Sequence, residues 1–109
     1  MTILDYLLAL VAYPVLEEFI FRLHLMRMLA VRFPAWRPLA VNAAASAAFS
    51  AAHLPFWPWW HAVAVFIPSM ALGFVMQRTG RWGLCAALHG LMNGCYLLAL
   101  AFRALPRWA

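Results

Sequence analysis

The sequence predicts an all-α protein: a polytopic bundle of about four membrane helices forming one domain over residues 1–109. Three observations carry this. Hydrophobic residues make up 68% of the chain, against roughly 45–50% in an ordinary soluble domain. Charged residues reach only 10%, where a soluble domain carries about 25%. The apolar residues also fall in long runs, with the arginines at the turns between them. A small soluble domain buries only about 60% of the surface its unfolded chain exposes, so a soluble chain of this length could not hide so much apolar surface. Lipid is the solvent that suits this composition, and the length allows a single domain.

The first predicted segment covers residues 3–31. As a continuous helix it would be roughly 43 Å long, more than the ~30 Å hydrocarbon core, and Pro14 is expected to kink or divide it. The second, residues 38–53, is rich in alanine, which lets neighbouring helices approach closely. Leu54-Pro55-Phe56-Trp57-Pro58-Trp59-Trp60 follows. Its prolines break the helix, and its tryptophans suit a membrane interface. The third segment covers residues 61–77, Arg78-Thr79-Gly80-Arg81 makes a short polar turn, and the fourth covers residues 82–102, ending at Arg103 and Arg107. No internal repeat and no cleavable signal peptide is visible, so the N-terminal stretch reads as a retained helix.

All eight basic residues are arginines, against three acids, Asp5, Glu17 and Glu18, for a net charge of +5. The arginines are scattered between apolar runs and form no basic face, which argues against nucleic acid as a partner. With four crossings, Arg27, Arg32, Arg37, Arg78 and Arg81 fall on one side, and Arg103 and Arg107 on the other as a membrane anchor. The larger group is expected to be cytoplasmic, which puts both termini on the opposite face. The arginine-only, alanine-rich composition fits GC-rich bacterial DNA, and hence a bacterial inner membrane. Cys85 and Cys95 are ten residues apart in one apolar segment, roughly 15 Å on a helix, too far for a disulfide.

Ionisable groups inside membrane segments are expensive and usually functional. Here they form three clusters. In Glu17-Glu18-Phe19-Ile20-Phe21-Arg22, Glu18 and Arg22 are four apart, share a helix face and can pair. Glu17 is rotated by about 100° and has no local cation, which points it towards a bundle interior or water pocket where a general base is useful. In Phe49-Ser50-Ala51-Ala52-His53, Phe49 and His53 share a face. In His89-Gly90-Leu91-Met92-Asn93, His89 and Asn93 can aim into one cavity, while Gly90 and Gly94 allow close backbone approach.

Water attack on a peptide carbonyl needs a base and donors for the oxyanion. Glu17 can be the base, His53 can hold the water, and His89 and Asn93 can donate. Glu17, His53 and His89 could instead ligate zinc. Blander roles are available: Glu18–Arg22 as an ion pair joining helices, His89 and Asn93 as interhelical hydrogen-bond partners, Asn42 and Ser46 as packing contacts, and His24 and His61 as interfacial residues.

Glu-Glu-x-x-Phe-Arg, then Phe-x-x-x-His, then His-x-x-x-Asn, in that order on successive membrane helices, resembles the CAAX protease and bacteriocin-processing family, also called type II CAAX prenyl endopeptidases or Abi proteins. The resemblance covers residues 13–97, and Pro14 and the His53-Leu54 pair match the family's habit. It implies an intramembrane endopeptidase without a cofactor, in which Glu17 activates water with His53, Glu18 pairs with Arg22, and His89 and Asn93 form the oxyanion site. It also implies a membrane-anchored protein or peptide substrate cut near its C-terminus. Eukaryotic members trim prenylated proteins, and bacterial members are linked to peptide maturation, bacteriocin immunity and the sorting of anchored proteins. Family members usually carry further helices before the Glu-Glu segment, so the resemblance implies either a minimal member or a fragment, completed by self-association or a helper membrane protein. Two other classes stand beside it, a non-catalytic binding or immunity protein of the same fold and a proton or ion transport subunit. The full set Glu17, His53, His89 and Asn93 favours the protease.

Overall fold

The computed structural model describes residues 1–104 of the chain. Among these there are helices and no strand. The first helical run, α1, occupies residues 3–32 in five contiguous stretches, Ile3–Leu7, Leu8–Ala12, Tyr13–Glu18, Phe19–Met26 and Arg27–Arg32, of which the second and fourth are π-helical. Then come α2 (Pro38–His53), α3 (Trp59–Ala64), α4 (Phe66–Thr79) and α5 (Trp82–Ala104).

Local chemistry sets the boundaries. Thr2 caps α1: its hydroxyl accepts from the Asp5 N–H while the Asp5 carboxylate accepts from the Thr2 N–H, a reciprocal capping box. The run ends at Phe33, whose backbone leaves the helical region because it precedes Pro34. Pro38 opens α2 at a position where a missing N–H is harmless. Pro68 has no N–H for the Ala64 carbonyl, and helical bonding pauses at Val65 between α3 and α4. Gly80 closes α4 at φ 66°, its N–H bonding the Met76 carbonyl at 2.7 Å, as a left-handed cap requires. The expected division at Pro14 takes the form of a register change. Backbone angles stay helical at Ala12 and Tyr13, while hydrogen bonding widens to the π pattern on either side of Tyr13–Glu18.

Among the described residues, two helices are long and apolar enough to cross a membrane: Trp59–Thr79, counted through the bend at Val65, and Trp82–Arg103. They turn large apolar side chains outward, with Ile67 74% and Leu91 64% exposed. A soluble monomer does not carry apolar surface on this scale. The interior is small and tightly packed: Met26, Val41, Ala45, Leu72, Met76 and Cys85 form its centre. Gly73 of α4 lies so close to the Asn42 side chain that a Cβ there would collide with it. Gln77 Nε2 donates to the Pro38 carbonyl at 2.7 Å, which fastens the arginine-bearing ends of α2 and α4 together. Arg107 lies outside the described residues. Arg103 is exposed in the last turn of α5.

Candidate active site

The Glu-Glu pair sits at the join between the α-helical Tyr13–Glu18 and π-helical Phe19–Met26 stretches. Glu18 is fully buried, with Oε1 3.2 Å from Arg22 Nε. The two charges pair at an angle too oblique for a hydrogen bond. Arg22, equally buried, donates from Nη2 to the Ser69 carbonyl at 2.9 Å and to its hydroxyl at 2.8 Å. Ser69 Oγ donates to Ser46 Oγ at 3.0 Å, Ser46 to Asn42 Oδ1 at 3.3 Å, and Asn42 Nδ2 to the Met70 carbonyl at 2.9 Å. This chain stitches α1, α2 and α4 together, so Asn42 and Ser46 do serve as packing contacts. The sequence reading missed Ser69. Its only signal was a lone small hydroxyl in an apolar helix.

Glu17 points elsewhere. Its side chain keeps 31% exposure, and Oε2 lies 3.5 Å from His89 Nε2. Glu17 has no cation within its own helix, and α5 brings the His89 ring to it across the bundle. His89 Nδ1 lies 3.0 Å from Glu18 Oε2, the carboxyl oxygen that is not paired with Arg22. The His89 ring therefore bridges both glutamates. This is a tighter engagement than the free oxyanion donor expected from spacing alone.

His53 Nδ1 donates to the Phe49 carbonyl at 2.7 Å, which leaves the Nε2 lone pair available in the neutral ring. Phe49 is the hub between the two polar regions. Arg22 lies over its ring at 5.5 Å, and the rings of His53 and His89 lie 4.6 and 5.8 Å away. Asn93 Nδ2 donates to the Ala9 carbonyl at 2.7 Å.

Glu17, His53, His89 and Asn93 all line one cavity of about 820 Å³, together with Tyr13, Phe49 and, towards the α2–α3 loop, Trp57, Trp60, His61 and Tyr96. His61, expected at the interface, lines this cavity. It stacks on Trp57 at 4.4 Å, and its ring centre is 6.5 Å from that of His53. His24 is exposed on α1 and meets the Phe19 ring edge-on at 4.6 Å.

A zinc ion would need Glu17, His53 and His89 to converge on one point at about 2 Å each. Among the described residues no three His, Cys, Asp or Glu side chains are gathered in that way, and both His89 nitrogens face carboxylates. As arranged, these three side chains do not fit a zinc ion. Cys85 and Cys95 are both free thiols.

No curated protein and no solved structure matches the chain. A family model described as "Type II CAAX prenyl endopeptidase Rce1-like" matches residues 1–95. That span contains all three polar clusters, and with it this membrane-embedded chain belongs to the Rce1-like family of type II CAAX prenyl endopeptidases.

Proposed function

We propose that the protein is an intramembrane endopeptidase that uses Glu17 to activate water against a peptide bond near the C-terminus of a membrane-anchored protein or peptide. The observation that carries this reading is the convergence of Glu17, His53, His89 and Asn93, from three separate segments, on one cavity whose walls are otherwise largely aromatic and aliphatic. Glu17 is the one acid with an exposed carboxylate on that cavity. Water held by Glu17 and the free Nε2 of His53 attacks the carbonyl carbon while Glu17 takes its proton. The oxyanion is met by the second N–H of Asn93, the first being held by Ala9, and by His89 Nε2 when protonated. Glu17 then returns the proton to the leaving amine. Water is consumed, one carboxylate and one amine are formed, and the enzyme is unchanged. Preorganised donors of this kind act most strongly where water is scarce.

Residues 3–32 and α2 complete four crossings in this reading. Arg27, Arg32, Arg37, Arg78 and Arg81 lie at the cytoplasmic end of a bacterial inner membrane. The cavity, lined at its other end by Trp57 and Trp60, faces the opposite interface, where tryptophan is favoured.

The test is cleavage of a membrane-anchored peptide library by the purified chain and by Glu17→Gln, with and without a strong chelator. Wild-type cleavage that survives chelation and vanishes in Glu17→Gln supports the glutamate–water route. Loss on chelation with recovery on zinc transfers Glu17, His53 and His89 to metal ligation. Equal cleavage by both proteins defeats the mechanism, and binding without turnover favours a non-catalytic member of the fold.

A further inference from the structure

Pro14 lies five residues after Ala9 and four after Leu10. An α-helix would send the residue-14 N–H to the Leu10 carbonyl, and a π-turn would send it to Ala9. Proline has no N–H to send. The Tyr13 N–H donates to Leu8, five residues back, so the π register runs up to the proline. Ala9 is then the next carbonyl in line, and it has neither Tyr13 nor Pro14 as donor. An unmet backbone carbonyl is costly inside a membrane.

Asn93 meets it. Its Nδ2 donates to Ala9 O at 2.7 Å, across 84 residues of sequence. Gly90, one turn earlier on α5, makes the approach possible, because a Cβ there would collide with the Leu10 carbonyl oxygen. A carbonyl can only accept, so the amide nitrogen faces α1 and the orientation of the Asn93 group is set. One hydrogen is spent on Ala9 and the second remains, on a side chain that lines the cavity with Glu17 and His89.

We propose that Pro14 is a positioning residue: by withholding an N–H it reserves the Ala9 carbonyl for Asn93, and that bond holds the Asn93 amide in register with Glu17 and His89. The catalytic half of this inference rests on the reading of Asn93 as an oxyanion donor, whereas the structural clamp does not. Replacing Pro14 with alanine supplies a competing N–H and releases Asn93.

Wild type, Pro14→Ala, Asn93→Ala and the double variant are compared in detergent for Tm, and for kcat and KM on the best-cleaved peptide of a membrane-anchored library. Asn93→Ala is expected to lower Tm by about 4–8 °C, and by well under half as much when Pro14→Ala is already present. Pro14→Ala alone is expected to lower kcat roughly tenfold to a hundredfold with KM little changed, and the double variant to be no slower than Asn93→Ala. Equal Tm losses in the two backgrounds overturn the clamp, and wild-type kcat in Pro14→Ala overturns its role in positioning. If none of the four cleaves, the Tm comparison still decides the clamp, and the protease reading falls separately. Should either variant not be recovered, Pro14→Leu supplies the same N–H and Asn93→Asp removes the same donor.

Discussion

Glu17 and Glu18 are neighbours in sequence and opposites in circumstance. Glu18 is sealed in the bundle, bonded by His89 and paired with Arg22, which starts a hydrogen-bond chain through Ser69, Ser46 and Asn42. Glu17 stands at the edge of a cavity with one loose contact at 3.5 Å and a third of its surface free. One helical step of about 100° separates a carboxylate used for assembly from one free for chemistry. Phe49 stands between the two polar regions, within 6 Å of Arg22, His53 and His89. The run from Arg22 through Ser69 and Ser46 to Asn42 is joined by a hydrogen bond at each step, whereas a general base must be left with a vacant acceptor to act.

This contrast can be broken from either side. The largest effect is expected from Glu17→Gln, which should reduce cleavage by roughly 10²- to 10⁴-fold while leaving Tm close to wild type. A large Tm loss would mean Glu17 belongs to the assembly side. Arg22→Met should do the reverse. It strands Glu18 without its cation and should cost about 3–5 kcal/mol of stability, read as Tm in detergent, and adding Glu18→Gln should return part of it. An Arg22→Met protein as stable as wild type would show that the pair holds nothing together. Gly90→Ala places a Cβ against the Leu10 carbonyl. It should cost about 1–3 kcal/mol and depress kcat as well, since the displaced turn carries His89. The smallest effect is expected from Ser69→Ala, about 1 kcal/mol in stability with unchanged KM, because the Ser69 carbonyl still receives Arg22. A strong loss of cleavage there would move the boundary of the active site into α4.

Much of this was legible in the chain. The α2 boundaries at Pro38 and His53 follow from a proline that starts a helix and the proline-broken stretch that ends it, and the break after α4 follows from the polar turn at Arg78-Thr79-Gly80-Arg81. The i, i+4 spacings placed Glu18 with Arg22, Phe49 with His53, and His89 with Asn93 on shared faces, because helical periodicity is local. The partners across helices were not legible. Nothing local tells Arg22 that Ser69 will be 47 residues away, His89 that it will lie between two carboxylates, or His61 that the α2–α3 loop will fold its ring over the cavity.

By itself the sequence determined the solvent, the helices, the turns and the identity of the polar residues, since composition, periodicity and proline placement act over a few residues at a time. Only the tertiary structure decided which carboxylate is sealed and which is open, and that the carbonyl freed near Pro14 is met by Asn93. Those outcomes depend on which helix packs against which, and on the cost of leaving a buried backbone carbonyl such as that of Ala9 without a partner.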